Sequence, residues 1–249
     1  METENIFFES TAGGRLAGVF HFPPQTPKAV FITCHGFLSA KGSHAKVAQM
    51  LAEKGFAALR FDFYGCGESG GDFENVTVSR FVADLEGAMD YVKVRVKMDK
   101  LIVYGSSLGG MVALLGAAKR KDIRALVLRA PLSDFSGLWK GMAGNRMGEW
   151  ERKGFLDMEL FGIKFRLGYG FYRDAAHINV HEMAKKITAP AIIFHGDRDS
   201  VVPLEQSRRL AASLANSRLV VFEGAGHRFE EGEEKRMTEG IAGFLRSVP

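Results

Sequence analysis

Hydrophobic and polar positions change rhythm along this chain, and the changes mark its elements. Asn5–Ser10 and Leu16–Phe22 are strand-like segments on either side of Gly13-Gly14, which predicts a hairpin. Pro23, Pro24 and Pro27 close that unit. Short segments dominated by apolar residues then recur at Ala29–Cys34, Phe56–Phe61, Leu101–Tyr104, Ala125–Arg129, Ala191–His195 and Arg218–Phe222. Runs of this length without alternation are expected of strands buried on both faces of a sheet. Between them the spacing becomes helical. Val47, Met50 and Leu51 follow a candidate cap at Ser43 and stop near Lys54-Gly55, and Phe81, Val82, Leu85 and Met89 share one side of a helix over 79–94. Leu108, Met111, Val112 and Leu115 mark a third helix, and 203–214 and 233–247 two more. Strands alternating with helices predict parallel βαβ units. The expected fold class is therefore α/β, a mostly parallel central sheet of about eight strands flanked by helices.

The alternation lapses over residues 133–188, which show no clean strand–helix pattern but hold both tryptophans, Trp139 and Trp150, with Met142, Met147, Phe155, Phe161, Phe165, Tyr169, Phe171 and Tyr172. This stretch is expected to be a cap inserted after the sixth strand, leaving 1–132 and 189–249 as the core. It departs from the carboxyl end of a strand, the end beyond which open α/β sheets bind ligands. Its aromatic and Met residues can line a pocket or build a small core of their own.

Composition adds mainly exclusions. A chain of 249 residues with 46% hydrophobic and 25% charged residues suits one sizeable α/β domain. The net charge of +4 is spread along the chain, unlike the clustered basic stretch of a nucleic-acid binder. Cys34 and Cys66 have no metal-ligand spacing and make no disulfide framework, which fits a reducing compartment. No signal-like segment opens the chain and no apolar run reaches bilayer length, so a cytoplasmic location is expected. Nothing calls for a metal or another cofactor.

The chemistry gathers around Leu101–Gly110, LIVYGSSLGG. Here G-x-S-x-G lies between a predicted strand and a predicted helix, the context that gives the motif meaning. A serine on so sharp a turn needs neighbours without a Cβ two positions away, here Gly105 and Gly109, and Ser107 then stands at the positive end of the helix. A serine hydroxyl needs a base, and the base a group to orient it. His227 follows the last strand in the small-residue loop EGAGH, at the correct end of the sheet. His35 and His195 also end strands, whereas His177 and His181 belong to the insertion. For the acid, HGDRDSVVP at 195–203 offers Asp197, which could simply satisfy turn amides, and Asp199. The Leu108 amide, directly after the serine at the helix start, is one candidate oxyanion donor.

The motifs HGF at 35–37, DFYGCGES at 62–69, GSSLG at 105–109, HGDRDSVVP at 195–203 and GAGH at 224–227 occur in the order seen in α/β-hydrolases. Over nearly its whole length the chain resembles that family. The resemblance implies a nucleophile–acid–base set of Ser107, Asp199 and His227, with Asp199 preferred over Asp197. It also implies an oxyanion hole of the Phe37 and Leu108 amides, with Gly36 allowing close backbone approach and His35 holding the loop. Asp62, Gly65, Gly67 and Ser69 are expected to support the fold, and Glu68 is not expected to be catalytic. In the position of its cap and its HGF loop the chain is similar to small carboxylesterases, including those cleaving hydroxycinnamate esters, to monoacylglycerol lipases and to serine aminopeptidase-like relatives. The implied activity is hydrolysis of a small-molecule ester, of short to medium acyl chain or aromatic. Thioester or amide cleavage by the same residues, and a non-catalytic binding role, are the alternatives.

Overall fold

The computed structural model describes residues 2–96 and 100–248. Ten strands are β1 (Glu2–Glu9), β2 (Arg15–Phe22), β3 (Val30–Cys34), β4 (Ala57–Phe61), β5 (Leu101–Ser106), β6 (Ile123–Arg129), β7 (Phe155–Leu160), β8 (Ile163–Gly168), β9 (Ala191–Gly196) and β10 (Ser217–Phe222). Nine α-helices are α1 (Ala45–Glu53), α2 (Val78–Val96), α3 (Leu108–Lys119), α4 (Phe135–Ala143), α5 (Met147–Lys153), α6 (Tyr169–Ala175), α7 (Val180–Ala184), α8 (Leu204–Ser213) and α9 (Glu231–Leu245). None is long and apolar enough to cross a membrane among the described residues.

Eight strands form one sheet in the order β1-β2-β4-β3-β5-β6-β9-β10. β2 is antiparallel to both neighbours and the remaining pairs are parallel, so the leading hairpin supplies a single reversed strand. Alternate residues explain the continuous apolar runs. Val30, Ile32 and Cys34 enter the core under α2 and α3, whereas Phe31 enters the one under α1 and α9. Leu59 and Ala58 divide in the same way. Helix α3 packs on β5, α2 and α7, and ten of its twelve residues are buried, so it is apolar all round rather than on one face. Cys34 and Cys66 are buried free thiols, and burial pushes the Cys66 thiol up to about 12.

The connection order reverses at β3. β4 lies on one side of it and β5 on the other, and the chain leaves β3 for α1 and β5 for α3 on opposite faces, so a crevice opens beyond their carboxyl ends. Those ends carry His35-Gly36 and Ser106-Ser107.

Residues 133–188 do contain strands, in contrast to the sequence reading. β7 and β8 pair as a separate hairpin through the tight turn at Phe161 (φ 54°) and Gly162 (φ 76°). Leu156, Met158 and Leu160 face Leu167, Phe165 and Ile163, while Asp157 and Glu159 oppose Arg166 and Lys164 on the other face. Farther along, α6 packs against α2, and α7 against α3 and α8.

Candidate active site

Ser107 stands between β5 and α3 with φ 54° and ψ −121°, a conformation that costs a non-glycine residue of order 1–3 kcal/mol. Its backbone is over-determined. Ser107 N–H donates to the Arg129 carbonyl at 3.0 Å, and the Ser107 carbonyl accepts from Gly110 at 2.9 Å and Leu132 at 3.0 Å. The turn requires bare glycines. A Cβ on Gly105 would lie 2.4 Å from the Gly109 carbonyl oxygen, and one on Gly109 would lie 2.1 Å from that of Cys34. Gly109→Ala is accordingly expected to destabilise the fold by about 3 kcal/mol or more, because the obstructing atoms are backbone. Gly141→Ala is the opposite case. Gly141 lies in α4 with nothing within 4 Å of the added methyl, so a gain of about 0.5–1 kcal/mol is expected. Urea unfolding of the two variants beside the parent measures both signs.

His227 lies in the loop between β10, the edge strand paired with β9, and α9. Its Nδ1–H donates to Asp199 Oδ2 at 2.7 Å. Asp199 is buried, and its Oδ1 accepts the Val201 and Val202 amides at 2.8 and 2.9 Å. His195 Nε2 lies 3.2 Å from Oδ2. Burial by itself raises this carboxyl's pKa, but hydrogen bonds from His195 and His227 and the positive charge available on His227 outweigh it, and Asp199 is held well below the usual carboxylate range. His195 bridges Val202 and α8: its Nε2–H donates to the Val202 carbonyl at 2.9 Å and its Nδ1 accepts from Ser207 Oγ at 2.6 Å. Asp197 takes a different partner, the Gly224 amide at 2.7 Å, and so ties the turn that carries His227.

Ser107, His227, Gly36, Phe37 and Leu108 line one cavity of about 300 Å³, within the range of small-ligand sites. Ser107 and His227 are not hydrogen-bonded to each other, a separation common before substrate draws such groups together. The Phe37 and Leu108 amides donate to no protein acceptor among the described residues. His35, fully buried, donates from Nδ1 to the Gly36 carbonyl at 2.9 Å and accepts the Phe63 amide at Nε2, 3.2 Å. Burial lowers its pKa, so the ring is a neutral strut between two loops. The Phe37 ring is locked in an aromatic cluster, 4.8 Å from Trp139 and 5.5 Å from both Phe165 and Phe171. Residues of 133–188 therefore pack directly on the loop that presents the Phe37 amide.

The 62–69 loop supports the fold. Asp62 accepts from the Lys41 amide and ammonium, both at 2.6 Å, and from the Glu68 amide at 2.9 Å. Glu68 is exposed and ion-paired with Lys41, outside the cavity.

Several polar residues of the site had no place in the sequence-based expectations, His44, Arg129 and Glu234 among them. His44 is fully buried with Nε2 2.9 Å from Ser106 Oγ, and burial, with Arg129, His35 and Arg60 nearby, drives its pKa well below the ordinary value. Arg129 and Glu234 line the cavity itself. Arg129 had one signal, a charge directly ending the buried run ALVLR; His44 and Glu234 had none.

A mostly parallel sheet with helices on both faces, a strained serine at a strand-to-helix turn and a carboxylate-bound histidine at the same end define an α/β-hydrolase. The sequence profile described as "Serine aminopeptidase, S33" matches residues 25–150 and 157–234, and the chain belongs to that hydrolase family. A mouse relative, "Palmitoyl-protein thioesterase ABHD10, mitochondrial", is 29% identical over 218 residues, covering 83% of this chain and 71% of its own. Among solved structures, that of Est1E from Butyrivibrio proteoclasticus with ferulic acid bound superposes with a TM-score of 0.88 at 26% identity, covering 98% of this chain and 99% of Est1E. Mouse ABHD10 superposes at 0.78 with 22% identity, covering 99% and 100%, which shows the shared fold.

Proposed function

We propose that this chain is a serine carboxylester hydrolase in which Ser107 is the nucleophile, His227 the general base, and Asp199 the group that orients and charges the base. The observation that carries this is the strained Ser107 on the wall of the same cavity as His227, whose far nitrogen is fixed by Asp199. With Nδ1 protonated and bound, His227 Nε2 has a free lone pair. Ser107 Oγ forms a bond to the ester carbonyl carbon while its proton passes to Nε2. The carbon–oxygen bond to the alcohol then breaks, and the alcohol leaves with that proton. Water adds to the acyl-enzyme, giving its proton to Nε2, and the acid departs as Ser107 recovers it. The Phe37 and Leu108 amides point the reading towards two oxyanion donors, since both line the cavity with no competing protein acceptor. Residues 133–188 act as a cap, with Trp139 and Met142 forming apolar wall.

Thioester cleavage is the second reading, supported by the thioesterase name of the mouse relative. The test is turnover of p-nitrophenyl esters from acetyl to long acyl chains, a methyl hydroxycinnamate and matched thioesters, together with labelling of Ser107 by a fluorophosphonate. The cavity volume predicts a short-to-medium or aromatic optimum. A long-chain optimum would contradict that size, and absence of labelling would overturn the nucleophile assignment.

A further inference from the structure

The cavity carries charges that ester hydrolysis by itself does not need. Arg129 is the last residue of β6, and because its carbonyl takes the Ser107 amide, its side chain leaves the sheet at the level of the nucleophile. The guanidinium lines the cavity with Ser106, Ser107 and His227. Its Nε is buried without a hydrogen-bond partner, and no carboxylate among the described residues lies within ion-pairing distance of it. Close to it are the buried Tyr104 hydroxyl and His44 ring, both within reach of its charge, and the Phe229 ring, 5.7 Å from the guanidinium carbon.

Glu234 from α9 lines the same cavity, close enough for Arg129 to act on its charge but not paired with it. Burial pushes the Glu234 carboxyl upward, while the positive charges of Arg129 and Lys46 pull it back down. Arg228 adds a second guanidinium at the rim, 5.5 Å over the Phe161 ring. Two permanent positive charges, Arg129 and Arg228, therefore line the cavity with a single carboxyl, Glu234. A half-buried arginine with no anion beside it has donors to spare, and its planar fork matches a carboxylate.

We propose that Arg129 binds a carboxylate carried by the substrate, so that this chain cleaves acid-bearing esters, such as half-esters of dicarboxylic acids or esters of hydroxy acids, in preference to neutral ones. The proposal rests on the serine hydrolase reading for turnover, but the anion site can be measured without turnover.

The experiment compares monomethyl half-esters of succinic to adipic acid with their neutral carboxamide counterparts, and acetoxyacetate with acetoxyacetamide. The first pairs place the charge on the acyl side and the second on the alcohol side. In at least one set the anionic member is expected to have a kcat/KM roughly tenfold higher, falling with added salt. Arg129→Met is expected to erase that ratio, Arg129→Lys to keep part of it, and Glu234→Gln to raise it. The same pairs are titrated calorimetrically into Ser107→Ala, where binding is read with no acyl transfer. Ser107-dependent turnover with no anionic preference in either set would overturn the proposal, as would a preference that survives Arg129→Met. Discrimination in binding with no turnover of any ester would retain the anion site and overturn the hydrolase reading. Equal or absent binding of both members, again without turnover, would overturn both.

Discussion

Ser107→Ala lowers kcat/KM for p-nitrophenyl butyrate by roughly 10⁵-fold, equivalent to about 7 kcal/mol of transition-state stabilisation. The loss is large because the covalent route disappears entirely and only direct attack by water is left. It is not total, because the Phe37 and Leu108 amides still face the carbonyl oxygen and His227 can still direct a water molecule. The fold is expected to remain. Ser107 is held through its backbone, by Arg129, Gly110 and Leu132, and alanine adopts the same positive φ at similar cost. The check pairs steady-state rates with a thermal melt and with fluorophosphonate titration, so that trace parent enzyme is counted. Residual activity above one per cent in unlabelled protein would sink the nucleophile assignment.

Much of the candidate site was legible because its geometry is carried by chain order and by elements with strong patterns. The runs at 29–34, 101–104 and 191–195 put His35, Ser107 and Asp199 just beyond strand ends, and in a parallel sheet those ends coincide. The two aspartates of HGDRD illustrate the limit. Spacing alone left Asp197 and Asp199 as alternatives, and only the fold shows that they divide the loop between them, one taking the Gly224 amide and the other His227.

What the pattern concealed was of two kinds. In 155–168 the period-two alternation of a hairpin was present, with Leu156, Met158 and Leu160 set against Asp157 and Glu159. It was obscured by a Phe-Gly turn, where Phe161 takes the positive φ usually left to Asn, Asp or Gly. The second kind has no local signature. His44, Arg129 and Glu234 come from a turn before α1, the end of β6 and the first turns of α9. They meet only because three separate crossovers return to one end of the sheet. Substrate selection depends on such meetings, which is why a sequence pattern points to a hydrolase class more readily than to a substrate.

The insertion shows the same division. Its aromatic content suggested a pocket wall or a core of its own, and individual residues do both. Trp150 is buried with Nε1–H donating to the Leu167 carbonyl at 2.9 Å, a bond that ties α5 to β8. Trp139 instead reaches the cavity and the Phe37 ring together. Packing at Trp139 thus bears on the position of the Phe37 backbone amide, which the HGF motif alone had marked as a candidate oxyanion donor.

Asp199→Asn is expected to lower kcat by about 10⁴-fold, and the neighbours of the side chain dictate why. Oδ1 accepts two backbone amides, from Val201 and Val202, so the carbonyl oxygen of an asparagine must occupy that position. Its NH₂ group is thereby turned towards His227 Nδ1, which now has to accept. The ring proton moves to Nε2, and the base presents a donor to Ser107 in place of a lone pair. The same NH₂ meets the His195 Nε2–H at 3.2 Å, a donor against a donor in a fully buried place, so a stability loss of about 1–3 kcal/mol accompanies the lost rate. Asp197→Asn keeps an acceptor for the Gly224 amide and is expected to cost less than tenfold. Measured together, kcat and urea midpoints of the two variants separate base orientation from loop support. Comparable rate losses at the two positions would show that His227 is oriented by something other than Asp199.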